Sequence, residues 1–536
     1  MKKASALLLA GMVCVIPACL YGSPNQVENQ PSVAATENKD TPAQQISNRP
    51  KVGRAYLEGG ILLAASTVDY WLTYSKFKED WQFRFSWKDQ RRRFFSAESP
   101  KMDSNSFWFN WSHTLSGAVN YNFGRTNGMN SRASFLYGLS MSVLWECFSE
   151  YREVISINDI IFNSFGGLAI GESLFQVSSY FSHRKGFLNR LVGIFFDPVL
   201  TFNNWLDRKN GRAANSDSNP AWHRFCVLIG ARSGSVSPAG TNYNHFTLGL
   251  ETETNSAPGY GEPVSFRRGS SDTIFSRMNM YFDLSSAGVE ESNITTEAVL
   301  FGATWQNVSN SGDGRLRGSS GFLGIGSGFD FFKKRAKAWY DSSAEVPEGG
   351  PSLSDARFWR PTPTEFSDKM AVVSLLGPIL QISWFGPRLQ VRWKAEAFGD
   401  FALVNALAYN LYSRDHDNAG VKTTLLNWGY YYAWGITLAS DMAVDWRQWQ
   451  MKGSIRCQRA HSIQGQDRYQ FQGVVTDDFR IHDSRLVWNL TLGYRFPGSP
   501  IGLALTAESV DRRGRILDIR ERYLETRFYS RLLLFF

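Results

Sequence analysis

The sequence predicts an α+β chain: a helical domain over residues 51–210, then an antiparallel transmembrane β-barrel of about twelve strands over residues 222–536. Three observations carry that reading. From Phe225 onward the apolar period changes from helical to two. The chain holds 39 Phe, 21 Tyr and 18 Trp, yet its mean hydropathy is only −0.28. A helical membrane protein would be far more apolar, whereas barrel strands alternate apolar and polar residues. The N-terminus reads as an export signal.

That signal occupies residues 1–22. Lys2 and Lys3 supply the positive start and Ala6–Leu20 the short apolar core. The core ends in Val15-Ile16-Pro17-Ala18-Cys19, which approximates a bacterial lipoprotein cleavage site. Simple cleavage near Gly22 is expected ahead of lipidation at Cys19. Residues 23–50 are Asn, Gln, Ser, Thr, Ala and Pro with scattered charge, a composition too poor in apolar surface to repay ordering. Cys147, Cys226 and Cys457 stand alone without a CxxC pair, so three free thiols are expected rather than a zinc knuckle or disulfide framework. The net charge of +8 is spread along the chain apart from Arg91-Arg92-Arg93. It suits anionic lipid headgroups or a lumen lining, and excludes a nucleic-acid partner for an exported chain.

In the helical domain, Tyr56–Tyr74, Phe107–Phe123, Ala133–Tyr151 and Ile157–Phe181 read as helices. A Gly/Asn-rich bend separates the second from the third, and Ser156 is placed to cap the fourth. About 18 uninterrupted apolar residues are needed to cross a bilayer, and acids interrupt the runs. The helices are therefore expected as a compact bundle, in the periplasm or against the barrel's inner side.

Helical spacing puts Glu146 and Glu150 on one face, and Asp159 and Asn163 on another. Gly167 and Gly171 lie near the second face, where a second backbone can approach closely; Gly166 adjoins them. Glu172 points away from Asn163 by roughly half a turn. Ionisable groups in apolar segments need partners or a task. His113 with Glu146, Glu150 and Asp159 forms a candidate acid–base set or divalent-metal site. The structural reading pairs His113 and Arg125 with Glu146, Glu150 or Asp159 in a polar core, and this is the more common arrangement. No nucleophile elbow, P-loop, HExxH or dinucleotide fingerprint is present, and no cofactor or resident metal is expected. Gly324-Ile325-Gly326-Ser327-Gly328 lies in strand-like sequence and reads as a strand kink.

The order and spacing of Asn110-Trp111-Ser112-His113, Gly117, Tyr121, Arg125-Thr126-Asn127-Gly128, Trp145-Glu146 and Glu150 resemble the bacterial family called domain of unknown function 3943. The resemblance continues through Ser156-Ile157-Asn158-Asp159-Ile160, Gly166-Gly167 and Gly171-Glu172 to Phe196-Asp197-Pro198 and Phe202-Asn203. It covers about residues 80–210. Cys147 and Phe148 depart from an aromatic pair. It implies an exported, envelope-located protein and no activity. His113, Glu146 and Asp159-x-x-x-Asn163-x-x-Gly166 are also similar to VanZ-like membrane domains.

In the barrel region, Met278, Met280, Phe282 and Leu284 alternate with Arg277, Asn279, Tyr281 and Asp283, while Val391, Trp393, Ala395 and Ala397 alternate with Arg392, Lys394 and Glu396. Leu486 to Phe496 repeats the pattern. The apolar sets are expected to face lipid and the polar sets the lumen. Strand starts are predicted near residues 224, 242, 274, 293, 317, 369, 388, 427, 443, 484, 500 and 523, with residues 336–367 and 405–426 as extracellular loops. A lumen of this strand number is narrow and easily occluded by side chains. The last strand, with Phe528, Leu532, Leu534 and Phe536 on one face, resembles the assembly signal of bacterial outer-membrane barrels.

The expected function is an outer-membrane role in binding or transferring a lipid or another hydrophobic envelope component. The motif helices would be the functional module, the barrel its anchor, and outer-membrane lipid and the barrel assembly machinery its partners. The alternatives are an outer-membrane enzyme acting on lipid or cell-wall material through the His/carboxylate cluster, and a channel plugged by the helices. Deleting Phe536 is expected to slow assembly, read as a smaller heat-modifiable fraction on gels. Unchanged assembly kinetics would remove the terminal residue from the signal.

Overall fold

The computed structural model describes residues 49–74, 85–207 apart from 183 and 185, 222–310 apart from 238–240, 258 and 273, and 315–536 apart from 336–367, 419 and 469–474. The expected signal peptide, nearly all of the linker and the loop at 336–367 lie outside the described residues.

Among the described residues seven helices precede the strands. They are α1 (Val52–Asp69), α2 (Trp87–Phe95), α3 (Phe107–Thr126), α4 (Ser131–Leu144), α5 (Ile157–Ser182), α6 (Phe187–Phe196) and α7 (Pro198–Leu206). Ser106 caps α3 by accepting from the Phe109 amide at 3.3 Å, and Asn130 caps α4 at 2.9 Å. Ser156 occupies the cap position of α5, but its hydroxyl donates to Asn158 Oδ1 at 2.9 Å instead. Single π-turns extend α1 and α4 and interrupt α5 at Phe162–Gly166.

The strands β1 (Trp222–Ser237), β2 (Thr241–Asn255), β3 (Val264–Asp272), β4 (Phe275–Ser285), β5 (Gly288–Asn310), β6 (Leu316–Lys334), β7 (Lys369–Phe385) and β8 (Leu389–Asn405) are followed by two short helices, α8 (Tyr409–Asp415) and α9 (Thr423–Trp428). Then come β9 (Tyr430–Trp446), β10 (Trp449–Ser462), β11 (Ile481–Arg495), β12 (Ile501–Ile516) and β13 (Ile519–Phe535). Twelve of them close an antiparallel barrel in which β1 pairs with β13 and β5 with β6. The thirteenth, β3, was missed by the alternation argument. It pairs only with the far half of β5, below the point where β4 begins. Predicted starts fall within a few residues of the observed ones for most strands. The segment at 405–426, expected as a polar loop, instead folds Ala406, Ala408, Tyr409, Val421 and Leu425 into a buried cluster.

One end of the barrel carries the start of β1, the end of β13 and the short turns at 386–388, 447–448 and 496–500; the other carries the connections 335–368, 406–429 and 463–480. These are called the turn end and the loop end, and in outer-membrane barrels the longer loops face the cell exterior.

Alternation assigns the two faces. Glu251, Glu253, Arg277, Glu297, Asp330, Arg392, Lys394, Glu396, Asp441 and Arg456 point inward around a cavity of about 260 Å³. They pair across it: Arg456 with Asp330 at 2.8 Å, Arg392 with Glu253 at 2.8 Å, and Lys394 with Glu297 and Glu396. A second network joins Arg232 and Arg527 to Glu291 and Glu525. Side chains and their ion pairs narrow the bore around that cavity.

The described helices of the bundle do not enter the lumen. They pack on the outward faces of the strands, opposite the charged rows. Trp111 of α3 lies 4.3 Å from Phe331 of β6, and Phe107 of α3 lies 5.9 Å from Tyr430 of β9, between ring centroids. Phe162 of α5 meets Phe401 of β8 at 6.0 Å, and Tyr180 meets Phe225 of β1 at 4.7 Å. Met278, Met280 and Phe282, expected to face lipid, are covered by this bundle. Both expected positions for the helices, periplasm or inner side, are corrected to the barrel's outer wall. The reason is parity: Phe225, Leu250, Phe331 and Phe401 occupy the face that cannot point into a charged bore.

The bundle's own outer surface is apolar. Leu57, Ile61, Val68 and Leu72 of α1 and its extension, Leu136 and Val143 of α4, and Leu115 and Val119 of α3 are exposed. α5 has 26 residues, about 39 Å at 1.5 Å per residue, enough to cross a hydrocarbon core. Its Asp159 and Glu172 are turned inward to partners, which is how acids coexist with membrane length.

α3 and α5 cross at glycines. A Cβ on Gly167 would lie 2.6 Å from the Gly117 carbonyl carbon, and one on Gly117 would lie 1.9 Å from the Asn163 carbonyl oxygen. Gly166 sits as tightly against Thr114, and Gly171 against Tyr121 and Ala118. The expected close approach at the Gly-x-x-x-Gly face is therefore present. Gly167→Val should force the helices apart and cost about 3 kcal/mol or more. The readout is proteolysis of residues 51–210 while the barrel keeps its heat-modifiable migration. Protection equal to wild type would show that the crossing tolerates a side chain.

Candidate functional site

The first turns of α3 and α5 meet the C-terminal end of α4 at the loop end, and here most of the predicted polar residues gather. His113 Nδ1 lies 2.9 Å from the Phe109 carbonyl and 3.5 Å from Asp159 Oδ1. With Nδ1–H donating to that carbonyl, Nε2 is the free, basic nitrogen. The His113 side chain is 17% exposed and Asp159 is buried. His113 thus occupies the seam between the bundle's interior and its outer surface.

Behind it runs a hydrogen-bonded chain. Asn158 donates to Asp159 Oδ1 at 2.8 Å and accepts from the Asp103 amide at 2.9 Å. Asn110 donates to the hydroxyls of Tyr430 and Tyr432, each at 2.8 Å, which in turn donate to the carbonyls of Asn105 and Asp103 at 2.6 and 2.7 Å. Trp428 Nε1 donates to the Ser104 carbonyl at 3.1 Å. Two outward tyrosines of β9 and the tip of α9 thereby fix the segment that leads into α3.

Glu146 is fully buried. Its Oε2 accepts from the Ser156 amide at 2.9 Å, and its Oε1 has no hydrogen-bond partner. Glu150 is buried beside it, and the end of α4 that carries both is held by Arg93 of α2. The Arg93 guanidinium donates to the carbonyls of Glu153 at 2.6 Å, Cys147 at 3.0 Å and Glu150 at 3.1 Å, and to that of Glu146. A cation at a helix C-terminus satisfies orphan carbonyls and complements the helix dipole. Glu153 carries the next charge, receiving the Tyr70 hydroxyl and Arg468 Nη1, the latter at 2.8 Å.

Arg468 belongs to a strap from the β10–β11 connection that roofs the cluster. The amide of Met102 donates to the Gln466 carbonyl at 2.8 Å, and that of Arg468 to the Met102 carbonyl at 2.7 Å. Lys422 anchors the strap to Asp467 and Asp478 at 2.9 and 3.0 Å. Burial disfavours its ammonium, but the two carboxylates outweigh that and hold its pKa above the ordinary lysine value.

Arg125 does not join this cluster, contrary to the sequence-based pairing. It lies at the opposite end of α3 and bonds Glu172 of α5 at 2.8 Å, where Tyr121 and Gln176 also donate, at 2.7 and 2.6 Å. The half-turn offset of Glu172 from Asn163 is why it serves a different station. Asn163 meets α3 through its backbone carbonyl, against Gly117. The segment from Phe196 to Asn203 ties the same end: Asp197 caps α7 at the Leu200 amide, 3.0 Å, with Pro198 at the first helical position, and Asn203 donates to Glu58 and Thr126 at 3.2 and 2.9 Å. The residues that sequence reasoning missed are Arg93, Glu153, Arg468, Asp103 and Tyr70. Only the Arg91-Arg92-Arg93 run gave a signal, and nothing in it marked the third arginine as the buried one.

Among the described residues no group of three or more His, Cys, Asp or Glu side chains is arranged to hold a metal ion. The geometry offers instead a basic nitrogen at the seam, backed by buried carboxylates. Arg125→Ala should strand the Glu172 carboxylate and cost about 3–5 kcal/mol, whereas Arg125→Met with Glu172→Leu should recover much of it. Thermal unfolding of the three proteins checks this. A single variant as stable as wild type would show that the ion pair contributes nothing.

Residues 99–199 match the family model of a domain of unknown function (DUF3943). A search of curated proteins returns no significant match. Solved structures similar to the chain include the Pseudomonas putida toluene transporter TodX, at 8% identity and TM-score 0.21 over 60% of this chain and 91% of that one. The KdgM porin is similar at 10% identity and TM-score 0.20, over 57% and 98% of the two chains. The translocator domain of the autotransporter NalP from Neisseria meningitidis follows at 10% identity and TM-score 0.18, over 63% and 97%.

Proposed function

We propose that the bundle lies in the outer membrane beside the barrel and binds the headgroup of an envelope lipid, or a similar amphiphile, at the His113 seam. The observation that carries this reading is the seam's position. The cluster is walled by the barrel through Tyr430 and Tyr432, roofed by the Gly465–Arg468 strap, and meets the outside at His113 on a helix whose neighbouring exposed residues include Phe109 and Leu115. A ligand reaches such a site sideways, with its chains along the apolar face of the bundle and its polar end at the imidazole. The barrel then serves as the anchor and the wall.

A second reading is favoured by one observation. His113 Nδ1 is held by a carbonyl with Asp159 nearby, leaving Nε2 to accept a proton, the arrangement of a general base acting on a bound lipid. A plugged channel is not proposed, because the described helices lie outside the bore.

His113→Ala, Glu146→Gln and Asp159→Asn test the lipid reading when bundle stability and retained lipid are measured on the same preparations. His113→Ala should unfold within a few degrees of wild type yet lose the lipid extracted with the native protein. Asp159→Asn should lose stability, because it sits in the buried Asn158 chain. Unfolding of the bundle in all three would make the cluster purely structural, and His113→Ala with its lipid intact would defeat the site. Chemical change in the lipid released by wild type but not by His113→Ala would select the catalytic reading.

A further inference from the structure

The wall opposite the bundle carries a second feature. On β10 to β13 the middle outward rows carry a belt of exposed apolar residues, Trp488, Leu490, Leu492, Leu503, Leu505 and Phe528, interrupted by Ser509, Thr526 and Ser530. Toward the loop end the same outward rows change character abruptly. Leu486, Asp511 and Leu524 share one row. The next row reads Arg459, Ser484, Arg513 and Arg522 across the four strands, and the one beyond it reads His461, His482, Arg515 and Arg520. All seven of these cations and imidazoles are exposed.

This placement is unfavourable for the barrel alone. Arg513 stands directly opposite Arg522, and Arg515 opposite Arg520, and like charges across a strand pair destabilise it. A single carboxylate, Asp511, serves both Arg513 and Arg522, at 2.6 and 3.0 Å. Arg515 turns back to the Leu517 carbonyl at 2.7 Å. Those arginine heads are held close together, with more positive charge than the protein neutralises.

We propose that these two rows bind the phosphate groups of a phosphorylated lipid in the leaflet at the loop end. The apolar belt sets the depth of the acyl chains, and continuity along the same strands puts the cations where that leaflet's headgroups lie. Arginine forks match phosphate oxygens bidentately, and neighbouring strands about 4.8 Å apart let arginines on both strands share one phosphate. The charge sign selects headgroups with net negative charge over zwitterionic ones, whose phosphate is already neutralised by their own ammonium. Its four arginines on β12 and β13 are separate from the His113 seam, which is walled by β9, while the β10 edge of the rows adjoins β9.

The test uses full-length protein in detergent, titrated with phosphatidic acid or phosphatidylcholine, with bound lipids counted by native mass spectrometry. Wild type should prefer phosphatidic acid, and the preference should weaken as salt is raised. Replacing Arg513, Arg515, Arg520 and Arg522 together by Gln should reduce it by at least about tenfold, while replacing them by Lys should reduce it less, because the charge stays and only the bidentate fork is lost. Heat-modifiable migration establishes that each variant is folded. Should the Gln variant fail to fold, the Lys variant and the salt dependence of wild type carry the test. No preference in wild type, or equal preference in a folded Gln variant, would overturn the proposal. Displacement of phosphatidic acid by millimolar inorganic phosphate would overturn the lipid as the source of the phosphate.

Discussion

The contact of α3 and α5 with the outward aromatic residues of β6, β8 and β9 is the interaction on which the rest of this structure depends. A barrel strand has two faces, and here the inner one is committed to ion pairs such as Arg456–Asp330. Phe329, Phe331, Phe401, Tyr430 and Tyr432 are therefore available outside, and the helices take them. Two of these residues are tyrosines whose hydroxyls reach Asn110, so the same contact that buries apolar surface also aligns the segment leading to His113. Moving the bundle would dissolve the polar cluster before it dissolved either component.

The two regions solve the problem of charge in an apolar setting differently. In the lumen, cations and acids face one another across strands, and several of them, such as Glu297 and Arg456, meet three charges of the opposite sign, so the wall is braced from within. In the bundle, the cations are few and the compensation is made with backbone carbonyls and amides: Arg93 on four carbonyls, Glu146 on the Ser156 amide. That leaves one carboxylate oxygen of Glu146 without a partner.

Much of the architecture is legible in the sequence alone, because alternation and helical spacing are local signals. The strand starts at 241, 275, 316, 369 and 501 needed only a period of two and a turn. The Gly167–Gly171 face announced a close crossing through its spacing. What escaped was relational. Nothing in Met278, Met280 and Phe282 distinguishes an outward face bathed in lipid from one covered by helices, since both demand apolar residues. Helix membership of the site was legible for His113, Glu146 and Asp159, but not the partner of each. Arg125 and Arg93 are equally plausible cations in a linear string, and only the fold places one at each end of the bundle. Arg468 and Glu153 are separated by 315 positions in the chain, a distance across which no periodicity speaks.

The order of the chain and the order of the packing run in opposite directions. The helices are made first, but the surface that receives them is assembled from strands as late as β9 and from the terminal Phe536, whose ring meets Phe181. The earliest third of the polypeptide must therefore wait, with its apolar faces uncovered, until the last segments arrive. A chain stalled before β9 would therefore present a hydrophobic bundle with nowhere to dock, which makes escort during that interval a demand set by the packing itself.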